Sequence, residues 1–251
     1  GDWTAKNWAR GKDVLIVGSG PSTKLYKDEI IGYVKRKNPV VLCLNINEFF
    51  PEELVTAYVA CHETRLLIES DRYSSLNKPI ILPFGNLPEE LRKLLSNISI
   101  LDYGLRIKEG AFEILDNGCV LDSSLAINYA MSVATASGAS QILLTGIDGY
   151  EKSDSRQLEM IATLEKYNEL DKSIPIYAIT PTTYPIEDKS IYMSKRFDEM
   201  AMLLATGKYF KLVCGAGNED AEEVKRLTVL YTLAGAKGMD ISANVEVVKA
   251  C

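Results

Sequence analysis

Residues 13–22, Asp-Val-Leu-Ile-Val-Gly-Ser-Gly-Pro-Ser, combine an apolar run with a turn chemistry suited to holding an anion. Gly18 and Gly20 permit close backbone approaches. Pro21 suits the first position of a helix, and Ser19 or Ser22 can cap its free N–H groups. Free amides and the positive end of the helix dipole form a site for an anion, most often a phosphate. The same turn also reads as a tight strand–helix corner that needs its glycines only for packing. Three further places could add chemistry. Asn45 and Asn47 follow a second apolar run, although Asn in such a place often binds only its own backbone. Ser123 and Ser124 stand before an Ala-rich segment, either as ligand contacts or as a plain N-cap pair. Gly146-Ile147-Asp148-Gly149-Tyr150 ends another apolar run. There Asp148 could hold a metal or accept a proton, and Tyr150 could stack on a base. His62 is the chain's single histidine. Imidazole suits a general base near neutral pH, whereas the ordinary role at that place is surface or capping. Lys24, Lys27 and Arg65 are the nearest cations, on faces that read as solvated. The metal ligands, if any, are not legible.

The elements that must position these residues alternate. Apolar runs at 14–17, 40–44, 56–60, 80–82, 98–101, 141–145 and 175–180 read as strands. Helical spacing follows at 25–37, 63–71, 88–95, 123–137 and 155–170, with Gly138 closing the Ala-rich helix. A small hairpin or irregular insert is expected over 105–116, around Asp116-Asn117-Gly118. Continuous rather than alternating apolar strands, separated by helices, imply a parallel sheet covered on both faces. The fold expectation is therefore α/β, a Rossmann-like parallel sheet spanning residues 8–187. Ligands of such sheets bind beyond the carboxyl ends of the strands. Prolines and a polar run near 181–193 suggest a boundary. A second unit, 193–251, reads as a helix over 195–206 and two βα units, too little to close a barrel. Its Gly215-Ala216-Gly217-Asn218 turn precedes the acidic run Glu219, Asp220, Glu222 and Glu223, which repels an anion and stabilises the helix start by itself.

Composition narrows the function classes. The 251 residues are 47% hydrophobic and 25% charged, as in ordinary globular proteins. A net charge of −6 gives no footprint for nucleic acid or an anionic membrane. No apolar run reaches membrane-spanning length and no signal-peptide pattern opens the chain. Five cysteines without C-x-x-C spacing read as reduced thiols of a cytoplasmic protein. The first residue is Gly, so the chain reads as a piece of something longer.

The order and spacing of the turns at Gly18–Ser22, Asn45/Asn47, Ser123-Ser124 and Gly146–Tyr150 resemble the bacterial sialyltransferases that use CMP-activated sugars. The same pattern is similar to flagellin-glycosylation proteins and archaeal 6-hydroxymethylpterin diphosphokinases, over about residues 10–185. The resemblance implies a nucleotide or nucleotide-sugar binding module of glycan or nonulosonate metabolism, with Gly18, Gly20, Ser22, Asn45, Ser123, Ser124, Gly146, Asp148 and Tyr150 lining one pocket. A transferase of this kind would act by in-line displacement at an activated sugar or diphosphate, with Asp148 or His62 as base. In the sialyltransferases the base is a His well after the Gly-Ile-Asp-x-Tyr segment, and here no His follows Tyr150. Two alternatives stand beside this one. The diphosphokinase resemblance implies Mg²⁺ and a nucleoside phosphate. The runs Gly11–Ile16 and Lys37–Val41 look like a module found behind 4-hydroxy-2-oxovalerate aldolase-like barrels, which implies a non-catalytic accessory domain of a fused or associated aldolase. The segments Lys211–Ala216 and Tyr231–Ala236 look like the start of a light-dependent period modulator barrel.

Overall fold

A computed structural model describes residues 1–191, 202–214 and 217–251. Contacts divide the chain into two units, Gly1–Ile191 and Tyr192–Cys251.

The first unit is an α/β fold built on an eight-stranded, wholly parallel sheet. Its strands are β1 (Asp13–Val17), β2 (Val40–Leu44), β3 (Ala57–Val59), β4 (Ile80–Leu82), β5 (Ile100–Asp102), β9 (Gln141–Thr145), β10 (Ile176–Ala178) and β11 (Glu187–Asp188). Between β5 and β9 come β6 (Gly104–Ile107), β7 (Phe112–Leu115) and β8 (Gly118–Leu121), which form a separate three-stranded sheet. The β7–β8 pair is an antiparallel hairpin through Asp116-Asn117, where an insert was expected, and β6 joins β8 in parallel.

The main sheet runs in the order β11-β10-β9-β1-β2-β3-β4-β5. The chain therefore winds outward from β1 in one direction, then returns past β1 and winds outward in the other. The reversal falls between β1 and β9, paired from Asp13↔Gln141 to Val17↔Thr145.

Successive residues of β1 alternate between two cores, as the two-residue period of a strand requires. Val14 and Ile16 meet one face, with Leu42, Val59, Ile142 and Leu144. Helices α6 (Ala126–Ala136) and α7 (Ser155–Asn168) cover it through Tyr129, Met131, Val133, Met160, Leu164 and Tyr167. Leu15 and Val17 meet the other face, with Val41, Cys43, Ile80 and Leu143. That face is covered by Ile30, Tyr33 and Val34 of α2 (Lys27–Lys37), Leu66 of α3 (Glu63–Ile68), Tyr73 of α4 (Ser70–Ser74) and Leu91 of α5 (Glu89–Leu94). Burial on both faces explains why β1 and β2 read as unbroken apolar runs.

Several boundaries differ from the sequence reading. A short helix α1 (Pro21–Leu25) precedes α2, and the helix expected over 63–71 is two short ones, α3 and α4. The Ala-rich helix starts at Ala126, three residues after Ser123, with Leu125 in the N-cap position. Ser123 and Ser124 therefore do not cap it. Glu187–Asp188, read as linker, pairs with β10 as an edge strand. Residues 1–7 also belong to this unit: Ala5 is fully buried, and Trp3 packs edge-on against Trp8 and Tyr103.

In the second unit β12 (Lys211–Val213) and β13 (Gly238–Asp240) pair in parallel, beside α8 (Ala221–Leu233) and α9 (Val245–Ala250). The Asp220 carboxylate caps α8 by accepting from the Glu222 and Glu223 amides at 3.1 Å, and Asn244 caps α9. Of the helix expected over 195–206, residues 195–201 lie outside the described residues and 202–205 are helical. Gly215 and Ala216 of the glycine turn also lie outside them. No described helix is long and apolar enough to cross a membrane.

All five cysteines are free thiols. Burial pushes the thiols of Cys43, Cys61 and Cys119 up to about 12, so little thiolate exists near neutrality. Under native conditions at pH 8, iodoacetamide is expected to modify Cys251 and then Cys214, sparing the other three, and to reach all five after denaturation. Mass spectrometry of the tryptic peptides reads the pattern; rapid native labelling of Cys43 would contradict the burial described above.

Candidate functional site

The carboxyl ends of β1 and β9 lie side by side at the reversal of strand order, the place where open parallel sheets bind ligands. The loops that leave these strands interlock. The Gly18 N–H donates to the Thr145 carbonyl at 2.8 Å, and the Gly20 N–H donates to the Gly146 carbonyl at 2.9 Å. Side chains cannot fit in this contact. A Cβ on Gly20 would lie 2.6 Å from the Gly146 oxygen, and one on Gly18 would lie 3.0 Å from the Gly146 carbonyl carbon. Gly146 itself has φ +67°, with Thr23 Oγ1 where its Cβ would point.

Polar side chains brace the loop from behind. Thr23 Oγ1 and Asn47 Nδ2 both donate to the Gly18 carbonyl, at 2.7 and 2.8 Å, and Asn47 Oδ1 accepts from the Phe49 amide at 2.9 Å. Asn47 is buried and absent from the pocket wall, so its role is to hold the turn. Asn45 does line the pocket, in a left-handed conformation with φ +53°.

The Asp148 carboxylate takes the place expected for a bound anion. It accepts from the Ser22 amide at 2.8 Å and from the Ser22 hydroxyl. Ser22 is buried and lies 3.0 Å from Thr180 Oγ1 at the end of β10. The start of α1 is thus already capped by an internal negative charge, and the Gly20 amide is spent on Gly146. This corrects the expectation of bare amides cradling a phosphate there. Both oxygens of Asp148 are engaged by Ser22. Each keeps a lone pair able to accept a further hydrogen bond.

A cavity of about 390 Å³ opens over this corner. Gly18, Ser19, Gly20, Pro21 and Asn45 line one side, and Gly146 to Tyr150 another. Leu44, Leu125, Ile127, Met160 and Tyr184 supply apolar walls, and Arg156 and Glu159 come from α7. Among the described residues no acceptor meets the Ser19 N–H, and Ser19 is exposed. The Arg156 guanidinium stacks 3.9 Å from the Tyr150 ring centroid and contacts the Asp154 carboxylate at 2.6 and 3.0 Å. The result is a flat shelf of ring and guanidinium at the cavity wall. Glu159 accepts from Ser123 Oγ at 2.8 Å.

The placement of the remaining expected residues is mixed. Ser123 reaches the site only through Glu159. Ser124 and His62 line a second cleft, together with Cys61, Glu63 and Asn86, so His62 stands outside the first cavity. Lys24 lies over Phe49 at 5.3 Å, and neither Lys27 nor Arg65 lines the cavity. The cation that does is Arg156, which the sequence reading missed. Its signal was available: Asp154 is an N-cap whose side chain accepts from the Arg156 amide, placing Arg156 in the first turn of a helix that follows a strand end. Among the described residues no cluster of three or more metal-binding side chains occurs.

No family model matches the chain, and neither the curated proteins nor the solved structures contain a match to it.

Asn47→Ala is expected to leave the Phe49 amide unpaired and the Gly18 carbonyl with Thr23 alone, and to lower unfolding free energy by about 1–3 kcal/mol, read by urea titration. An unchanged midpoint would remove Asn47 from its bracing role. The Arg156 guanidinium and amide hold the Asp154 carboxyl down to about 2, against an ordinary value of about 3.9. Because the folded value is the lower one, this contact contributes above the unfolded value and is lost as pH falls toward 2. Carboxyl ¹³C NMR is expected to place the Asp154 midpoint near 2; a midpoint near 4 would mean that Arg156 is elsewhere in solution.

Proposed function

We propose that the first unit binds a nucleotide or nucleotide-sugar in the cavity at the β1/β9 reversal, anchored by its nucleoside rather than by a phosphate on α1. The observation that carries this reading is the coincidence of the cavity with the switch point of a parallel sheet, where two glycine loops interlock to leave a slot walled by both. The lining fits a ring system with hydroxyls. The Tyr150–Arg156 shelf offers a flat face for a base, and Ile127 and Met160 add apolar wall. Asp148 and Glu159 accept from ribose or sugar hydroxyls. Phosphate oxygens meet the Ser19 amide and Arg156, the one cation of the described wall.

The charge balance supports this orientation. Two carboxylates and one guanidinium line the slot, an arrangement that rewards hydroxyl donors and gives a bare phosphate little. The reading therefore distinguishes ligands: cytidine or CMP binds more tightly than inorganic phosphate or pyrophosphate. Within it, the module serves a transferase of the sialyltransferase or diphosphokinase type, the latter with Mg²⁺.

Thermal unfolding tests the proposal. At a hundredfold excess over Kd, a ligand adds about 2.7 kcal/mol, which for a domain of this size raises Tm by about 5–10 °C. CMP is expected to give such a rise, and Tyr150→Ala or Arg156→Ala to cut it at least by half. A response to ATP only with Mg²⁺ would favour the diphosphokinase type. No response to CMP, CDP or ATP, with or without Mg²⁺, would overturn nucleotide binding and leave an accessory domain. Gly20→Val is unsuitable as a control, since its side chain would collide with the Gly146 carbonyl and unseat the loop itself.

A further inference from the structure

Gln157 occupies the third position of α7, from which glutamine commonly bonds back to the N-cap amide. Here the Glu151 carbonyl meets the Asp154 amide at 2.9 Å, and the Gln157 side chain is buried instead. Its Oε1 accepts from the Tyr150 amide at 2.8 Å and from Thr183 Oγ1 at 3.3 Å. Its Nε2 donates to the Thr183 carbonyl at 3.2 Å. These partners fix which end of the carboxamide is oxygen, since the Tyr150 amide only donates and the Thr183 carbonyl only accepts.

The segment after β10 grips the rest of the loop after β9. The Thr183 N–H donates to the Asp148 carbonyl at 2.8 Å, and Thr182 Oγ1 donates to the Ile147 carbonyl at 2.7 Å. Thr183 Oγ1 lies 3.4 Å from the Tyr150 carbonyl, and it stands where a Cβ on Gly149 would point. Gly149 has φ +88°, so only glycine fits there without strain. The Tyr184 amide donates to Thr182 Oγ1 at 3.2 Å. Ile147 to Tyr150 and Tyr184 line the cavity, whereas Gln157, Thr182 and Thr183 do not. Three side chains outside the wall therefore hold the part of it that carries the shelf.

We propose that Gln157 and Thr183 are positioning residues of the cavity, which set the place of the Tyr150–Arg156 shelf without touching the ligand. The inference rests on the nucleotide reading of the cavity and deepens it, by assigning affinity for the base to a clamp behind the wall. The Tyr150 side chain is 43% exposed, so packing does little to direct it. Consecutive residues of α7 hold it at two places, Arg156 at the ring and Gln157 at the backbone amide. A flat face already in place stacks a base without first being ordered, whereas a loose one loses its freedom when the ligand arrives. Thr182 extends the clamp to Tyr184, so one segment places both tyrosines of the wall.

Two readouts on the full chain separate positioning from stability alone. The Arg156 Nε–H NMR signal, identified by its loss in Arg156→Lys, reports the shelf, because an aromatic ring shifts protons above its face upfield. That shift is expected in the unmodified chain and is lost in Tyr150→Ala. Gln157→Leu and Thr183→Val are expected to reduce it and to weaken CMP binding about tenfold by calorimetry well below Tm, whereas Thr183→Ser keeps both. Where Gln157→Leu fails to fold, Thr183→Val carries the test. Variants that lower Tm but keep the shift and the CMP affinity would overturn the proposal, and so would a lost shift with CMP affinity unchanged. If the unmodified chain does not bind CMP, the nucleotide reading falls, and the Arg156 shift alone decides whether the clamp holds the shelf.

Discussion

The organisation of the first unit depends on the contact between the loop after β1 and the loop after β9. Two backbone hydrogen bonds, Gly18 to Thr145 and Gly20 to Gly146, draw the loops together, and the Asp148 carboxylate locks the second loop onto the first turn of α1. Everything at the candidate site is placed by this junction. Residues of both loops line the cavity that opens over their close contact.

The junction also decides which polar groups the corner leaves unpaired. A helix start with free amides attracts an anion. Here a carboxylate of the chain itself holds that position, so the local field offers a second anion no gain. The groups left facing the cavity are those of its walls: the Asp148 and Glu159 carboxylates, the Tyr150–Arg156 shelf, and apolar side chains from α6 and α7. The glycines of the first loop are required whether or not a ligand binds, because their Cβ positions are filled by the partner loop. A glycine turn after a strand is therefore evidence for a close backbone approach, and the approaching group need not be a phosphate.

The support behind the loops comes from the two cores. Alternate residues of β1 and β2 bury on opposite faces, so the strands cannot slip by one residue without exchanging the two cores. That register holds the strand ends level, which brings Asn45, Cys61 and His62 to one edge. The chain's polar brace, Asn47 on the Gly18 carbonyl, is paired because an unmet backbone group in that buried corner is costly.

The central strands and the longer helices were legible from the sequence, whereas the edge strand Glu187–Asp188 and the short helix α1 were not. Unbroken β-branched runs and 3.6-residue spacing report local burial, and burial on both faces of a sheet leaves that mark in each strand alone. The turns after β1 and β9 were legible as special places for the same reason, since their glycines answer to backbone conformation and close approach. What occupies them was not. That Asp148 lies on Ser22, that Asn47 holds Gly18, that Arg156 reaches the cavity while Lys24 does not, and that His62 stands in a different cleft all depend on which strands are neighbours. Strand order is set by the packing of two whole cores, a sum over contacts between residues as far apart as Ser22 and Asp148, and no local pattern encodes it.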